Sequence, residues 1–538
     1  MMHKQRQLGL RMCGIALAVI AAGVSLADDE RRPNILFIMT DQHRWDCIGA
    51  NGNELIKTPH LDRLASEGAN FTHCFVQAPV CVPSRVSFFT GRYPHSHKNR
   101  VNYTPLDRRE LLMQARLRDA GYATAAVGKL HYHPPDEREA KRTGFDHVEL
   151  HDAVPKLDEF SAYVEWRREH DPLSHLDYRA IAEDIPTGKN PFRQAIAEEH
   201  TETSWVGLRT RHYIEQLAGS DQPFFLFSSF WKPHSPFEVP QPFDAMYDDF
   251  DIRLPEVMSL DDITRLPPPL RLLILRGKPV YDIDRERLQW IYRSYYGAIS
   301  HIDREVGRIL QTLEEAGVAD NTIVVFSSDH GDQLLEHGLT GKNCFFEASV
   351  RVPFIIRFPQ QVEPGQYDEL IESVDLLPTL FELAGLPEPY ENQGRSLMPL
   401  IGDADRPYEP KQAVFSENVI PEVITSGSGL DFQFQKGEGV KGIRHPDAKM
   451  VRTRRWKYCY YPEGYAELYD LEADPNEMHN LAGEPESLDV EAEMKDRLLH
   501  WLTTADEADQ IAPRWLKPHE PVHQGGDVPR QPIDESVN

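Results

Sequence analysis

Asn34-Ile-Leu-Phe-Ile-Met-Thr40 is an unbroken apolar run that stops at Asp41-Gln42-His43. Apolar residues at every position suit a parallel strand buried on both faces, which hands polar residues over at its carboxyl end. The pattern returns at 123–127, before Gly128-Lys129-Leu130-His131. It returns again at 223–230, before Trp231-Lys232-Pro233-His234, at 322–328, before Asp329-His330-Gly331, and at 353–358. Between these runs the spacing turns helical. Helices are expected at 61–68, at 106–120 closed by Gly121, at about 284–316, and at 375–384 stopped by Gly385. Strands alternating with helices predict an α/β sheet with helices on both faces.

From about 411 the texture changes. Segments 413–417, 448–453, 456–461 and 466–470 read as short strands with turns between them, and 488–504 as a helix. This predicts a small antiparallel C-terminal domain. Residues 136–215 are polar and weakly periodic, with helical pieces near 156–170 and 193–217. Residues 238–283 are Pro-rich. Such excursions serve as lids or specificity loops, or are solvated insertions. The chain after 508 is Pro-rich and polar and reads as an extended or disordered tail. The expected layout is a leader at 1–27, a catalytic domain at 33–410, a small domain at 411–507 and a tail at 508–538.

The leader reads as an export signal. Lys4, Arg6 and Arg11 precede an apolar stretch from Cys13 to Val24, too short to span a bilayer. Ser25-Leu26-Ala27 is a small-x-small cleavage site before Asp28-Asp29-Glu30. The expectation is a periplasmic or extracellular protein with no stable membrane insertion after cleavage; an N-terminal anchor is the alternative. The chain has 538 residues, 40% hydrophobic, enough for a packed core. Its formal charge is −27, and the leader holds three of the positive charges, so the remainder is more acidic still. That excludes nucleic acid as a general partner and repels polyanions at long range. Any anionic substrate must be held by local basic residues. Beyond Cys13, the cysteines are Cys47, Cys74, Cys81, Cys344 and Cys459, too few for a disulfide scaffold.

One cysteine stands apart. Cys81-Val-Pro-Ser-Arg85 is followed by Val-Ser-Phe-Phe-Thr-Gly91. Proline is tolerated in a first helical turn, so Cys81 belongs at a helix N-terminus, where anions are favoured. Arg85, one turn deeper, can return to the same end. A nucleophile, a helix dipole and a guanidinium then converge, which suits a sulfate or phosphate. Carboxylates and an amide at two strand ends, Asp41-Gln42 and Asp329-His330, suit a hard divalent cation such as Ca²⁺. The imidazole leaves Mg²⁺ or Mn²⁺ open.

The string at 81–92 resembles the signature of type I sulfatases. So do Thr58-Pro-His-Leu-Asp-Arg-Leu64, Gly128-Lys-Leu-His131, Lys232-Pro-His234, Ser328-Asp-His-Gly-Asp332, Glu336-His-Gly338 with Gly341-Lys342, Val374-Asp-Leu-Leu-Pro-Thr379 and Glu467-Leu-Tyr-Asp-Leu-Glu-Ala-Asp-Pro475. The resemblance implies an alkaline-phosphatase-like fold, with a large mixed, mostly parallel sheet. It implies that a maturation enzyme converts Cys81 to Cα-formylglycine, whose hydrate is the nucleophile. Metal ligands would be Asp41, Gln42, residue 81, Asp329 and His330. Lys129 and Arg85 would hold the hydrate, Lys342 would neutralise sulfate oxygens, and His234 or Lys342 would protonate the leaving alcohol. His131 would then take a proton from the second hydroxyl, expelling sulfate.

The chain departs from the family where Gln42 and His330 replace the commoner acid and amide, and where Leu130 replaces a tryptophan. The Asp-Gln with Asp-His combination also occurs in choline-sulfatase-like, phosphonate monoester hydrolase-like and carbohydrate sulfatases. The expected reaction is therefore sulfate ester hydrolysis on a sulfated carbohydrate. A phosphonate or phosphodiester hydrolase on the same fold is one alternative, and a non-catalytic glycan-binding relative is another. His95, His97, Lys98 and Arg100, with Lys436, Lys441 and Arg444, are the candidates for gripping further sulfates; a merely solvated charged face is the other reading.

Overall fold

The computed structural model describes residues 32–505, apart from 103, 134–135, 153–160, 172–192, 195, 257, 269, 272–273, 275–284, 340, 403–405, 420–446 and 463. The leader, the tail and the candidates Lys436, Lys441 and Arg444 lie outside the described residues.

The first apolar run forms β1 (Asn34–Asp41). It lies in a nine-stranded sheet with β2 (Ala69–Phe75), β3 (Ala123–Gly128), β4 (His147–Leu150), β5 (Phe224–Pro233), β6 (Thr322–Ser328), β7 (Arg351–Arg357), β8 (Gly365–Tyr367) and β9 (Ile371–Glu372). The order is β4-β3-β5-β1-β6-β7-β2-β8, with β9 also on β2. Pairing is parallel from β4 through β6 and antiparallel at β6–β7 and β7–β2. The sheet is mixed and mostly parallel.

Strand geometry sorts the run at β1 into two faces. Ile35, Phe37 and Met39 join one core with Val82, Val86, Phe88 and Phe89 of the helix Cys81–Thr90. Leu36 and Ile38 join the other, with Trp205, Val206 and Ile214 of the helix Glu202–Ala218 and Ile302, Val306 and Ile309 of the helix Arg285–Glu315. Each face is thereby covered by helices, as a parallel sheet requires.

A second, four-stranded sheet consists of β10 (Val414–Val419), β11 (Asp447–Arg452), β12 (Trp456–Tyr460) and β13 (Ala466–Asp470), all antiparallel. One face packs Val451, Tyr458 and Leu468 against Met494, Leu498 and Trp501 of the helix Leu488–Ala505. The other turns Val414, Ala448, Met450 and Cys459 toward Phe75, Phe345 and Val350 of the large sheet's side.

The structure differs from the sequence pattern in several elements; the helical piece near 193–217, for one, begins only at Glu202. The helix foreseen at 106–120 is only Met113–Asp119. Asp107 accepts the Arg109 amide in a local turn, and Glu110 is drawn to Arg92, so the preceding segment cannot wind. Strand β2 was not foreseen, because Asn70, Thr72 and His73 interrupt its apolar run. Among the described residues no helix is long and apolar enough to cross a membrane, and the five cysteines are buried and unpaired.

Candidate active site

The carboxyl ends of β1, β3, β5 and β6 open side by side, the usual place for chemistry on such a sheet. They deliver Asp41-Gln42, Lys129, Lys232-Pro233-His234 and Asp329-His330. At its carboxyl end β3 approaches β5 so closely that residue 128 must be glycine. Its φ is +89°, and a Cβ there would come within 2.0 Å of Ser229 O. The close approach seats the Lys129 amide on that carbonyl at 2.9 Å.

The helix Cys81–Thr90 points its N-terminus at these ends. Its N-cap residue, Val80, offers no side-chain cap; Asn102 Oδ1 accepts the Val82 amide at 3.0 Å instead. Ser84 Oγ donates to Asp329 O at 2.5 Å. Arg85 is wholly buried and reaches back as its spacing predicts. Nε donates to Asp329 Oδ2 at 2.8 Å and the terminal nitrogens to Lys129 O at 2.7 Å, Ser229 Oγ at 3.0 Å and Asp41 Oδ2 at 3.4 Å. Lys129 Nζ meets the same Asp41 oxygen at 2.5 Å.

Cys81 Sγ lies 3.2 Å from His330 Nε2 and 3.1 Å from Lys342 Nζ. Burial and the Asp41 carboxylate push this thiol up. Lys342, Lys129 and His330 outweigh them, and it lies well below the ordinary thiol value. The surroundings therefore favour an anion at the Cys81 side chain.

Asp41, Cys81, Asp329 and His330 each offer one ligand atom, all within 4.8 Å of one another. Asp41 Oδ1 is buried with no hydrogen-bond partner. Burial and the Asp41 charge push the Asp329 carboxyl up, as expected of two carboxylates sharing a dry site. His330 Nδ1 sits 2.9 Å from Gly331 O, which fixes a proton there and turns Nε2 toward the cluster. Against burial, Asp329 and Cys81 hold the imidazole above its ordinary value, so Nε2 becomes an acceptor when a cation displaces its proton. Gln42 completes the set at a left-handed φ of 69°. Its amide NH₂ donates to Asp332 Oδ2, and its Oε1 accepts from Lys342 Nζ at 2.9 Å. Asp332 thus orients the amide with its oxygen inward. Oxygen donors, an imidazole acceptor, an orphaned carboxylate oxygen and two crowded acids fit a divalent cation.

His131 and His234 border the cluster without a hydrogen bond to it. Burial, helped by neighbouring lysines, pushes each imidazole down to about 3. His234 Nδ1 faces Ser235 O at 2.6 Å, and its ring stacks on Trp231. His131 is held at φ 59° by Asp152 Oδ1, which accepts the amides of Leu130 and His131 at 3.0 and 2.9 Å. Asn102, Asp152 and Asp332 were not foreseen. Each is a lone polar residue in a loop, and only Asp332 lay inside a quoted string.

The candidates for gripping further sulfates do not join the cluster. His97 is a core residue, bonded through Nε2 to Ser87 Oγ at 3.0 Å. His95 Nδ1 pairs with Glu417 Oε1 at 2.6 Å, and Arg100 pairs with Glu417 and Asp447. Lys98 Nζ donates to His95 O. These charges tie the segment after the signature helix to the second sheet.

Residues 33–386 match the sulfatase family model. The chain belongs to the sulfatase family. Residues 433–504 match a second model, the C-terminal region of N-sulphoglucosamine sulphohydrolase. An arylsulfatase of Clostridium perfringens is 32% identical over 479 residues, covering 85% of this chain and 91% of that protein. An N-acetylglucosamine-6-O-sulfatase of Bacteroides thetaiotaomicron is 26% identical over 522 residues, covering 90% and 88%. The crystal structure of a phosphonate monoester hydrolase of Agrobacterium radiobacter superposes with a TM-score of 0.73 at 27% identity, covering 88% of this sulfatase and 96% of that chain. This sulfatase is a type I enzyme with the alkaline-phosphatase-like fold, a sulfuric ester hydrolase.

Proposed function

We propose that this sulfatase is exported and removes sulfate from a sulfated carbohydrate, using formylglycine at position 81 beside a bound Ca²⁺. The observation that carries the reading is the convergence of Lys342 Nζ, His330 Nε2 and the Asp41 carboxylate on the Cys81 side chain at the N-terminus of a helix. The relative named for N-acetylglucosamine 6-O-sulfate supports the carbohydrate class, and the basic-then-apolar leader supports export.

Asp41, Gln42, Asp329 and His330 would hold the ion, with residue 81 beside them. Bound there, a divalent cation supplies positive charge to sulfate oxygens and lowers the cost of an oxyanion at residue 81. The chain's own groups do the rest. Arg85 locks both carboxylates toward the ion site and fixes the signature helix over them. Lys129 keeps Asp41 charged. Lys342 places its ammonium where transferring charge gathers. Lys342, charged, is the donor placed to protonate the leaving alcohol; His234, neutral with its Nδ1 proton turned to Ser235 O, would donate only once a bound anionic substrate charges it. His131, neutral and with Nδ1 unpartnered, is free to accept the proton whose loss expels sulfate.

The likeness to the phosphonate monoester hydrolase keeps phosphonate esters as the second reading. A panel of aryl sulfate, sulfated amino sugars and aryl phosphonate separates the two. Tryptic mass spectrometry of the peptide holding residue 81, from protein exported by its own host, tests the nucleophile. An active, exported protein with an unmodified thiol overturns the mechanism. N-terminal sequencing that finds the mature chain beginning at Asp28 tests the leader.

A further inference from the structure

Lys342 stands on a loop, and its Nζ must reach both Gln42 Oε1 and Cys81 Sγ. A lysine stem is long and rich in rotamers, so its aim depends on where the backbone is held. Two bonds come from nearby. Gln333 N donates to Gly341 O at 2.7 Å, and Asn343 N to Pro79 O at 3.3 Å. Three more come from beyond residue 410. Asn418 Nδ2, on β10, donates to Asn343 O at 2.7 Å. Lys457 Nζ, on β12, donates to Phe345 O at 2.8 Å. Glu477 Oε2 accepts the Glu347 amide at 2.7 Å.

Asn343 itself sits at a left-handed φ of 73°, a conformation that asparagine adopts more readily than other non-glycine residues but that still needs holding. The surrounding bonds are what over-determine it. Phe346 stacks on His337 with ring centroids 3.7 Å apart, and His337 Nε2 faces Asn476 O at 2.8 Å. Lys457 is fully buried between Glu347 and Glu477, at 2.8 and 2.6 Å. A buried ion pair is weak evidence for stability, since desolvation offsets its attraction. Here its ammonium also grips a loop carbonyl three residues from Lys342.

We infer that Asn418 and Lys457 are positioning residues for Lys342. The second sheet, which supplies none of the residues of the cluster, sets the reach of the lysine that faces the transferring sulfate. The inference rests on the role proposed for Lys342.

The test is a double-mutant cycle on the full-length, formylglycine-bearing enzyme with an aryl sulfate. Asn418→Ala should lower kcat about tenfold with KM within about twofold, because charge neutralisation counts most in the transition state. In a Lys342→Ala background the same substitution should cost nothing further, since both act through one amine. Equal losses in both backgrounds, or no loss in the wild type, overturn the inference. Lys457→Met is carried through the same cycle, in case Asn418→Ala fails to fold. If the wild type hydrolyses neither aryl sulfate nor sulfated amino sugars, the proposed function fails first. Hydrogen exchange then decides the clamp: Asn418→Ala should speed exchange about tenfold across 342–347 and leave 84–90 unchanged, and unchanged exchange at 342–347 refutes it.

Discussion

Asp332→Asn should weaken metal binding without touching a metal ligand. Asp332 faces two donors, the Gln42 amide at Oδ2 and the Leu334 backbone N–H at Oδ1, 2.6 Å away. A carboxylate accepts from both. An asparagine has one acceptor oxygen and one NH₂, so one donor must meet another donor. Leaving a buried polar group unsatisfied costs about 1–3 kcal/mol. Gln42 can escape by turning its amide over, but then its NH₂ points at the cation and at Lys342. Either route costs the bound state, and at 1.4 kcal/mol per tenfold the loss is about 5- to 150-fold in Kd. Outer partners of metal ligands typically act in the same range. Calorimetric titration of the metal-free enzyme with Ca²⁺ reads the effect directly. A Kd within threefold of the wild type would mean that Asp332 does not orient Gln42, and the argument for its inward oxygen would fall.

Arg85→Met should destabilise the metal-free protein by about 3–5 kcal/mol, because Asp41 and Asp329 lose a wholly buried partner; urea unfolding measures it, and a change under 1 kcal/mol would refute it. Glu202→Gln should flatten the pH dependence of stability. Burial pushes Glu202 from 4.5 up to about 7, so the folded state holds the proton more tightly. Stability then falls as pH rises between those values, by about 3 kcal/mol in all. The change in melting temperature from pH 5 to pH 8 should be more positive in the variant than in the wild type, with Asp303 and Glu477, also raised to about 7, keeping their share of the fall; equal slopes in both proteins would count against the assignment. Trp501→Ala should cost about 3–5 kcal/mol, since its ring lies flat on Phe415 at 4.6 Å and edge-on to Tyr93 at 5.0 Å; denaturant unfolding that detects no loss would show that the helix Leu488–Ala505 docks by other contacts.

The strands that position the chemistry were legible because each carries an apolar run on both faces. β1, β3, β5 and β6 could be drawn from composition alone, and the polar residues behind them marked the carboxyl ends. β2 was not, because Asn70 and Thr72 satisfy their polarity through Asn51 and Tyr367, the second of them 295 residues away. The same distance hid the fate of His95 and Arg100. Their charge reads as solvated until Glu417, more than 300 residues later, is folded against them. Asn102, Asp152 and Asp332 act singly, through one or two hydrogen bonds each, and no periodicity announces such residues.

The described cysteines differ in a way that reaches beyond the reaction. Burial pushes Cys47, Cys74, Cys344 and Cys459 up, Cys344 to about 12, while its cationic neighbours hold Cys81 well below the ordinary thiol value. Alkylation proceeds through the thiolate. Of the described cysteines, Cys81 is thus the one whose surroundings favour the thiolate, and all five are buried. If residue 81 is converted to formylglycine as proposed, a small alkylating reagent that reaches the site would label unconverted molecules there first.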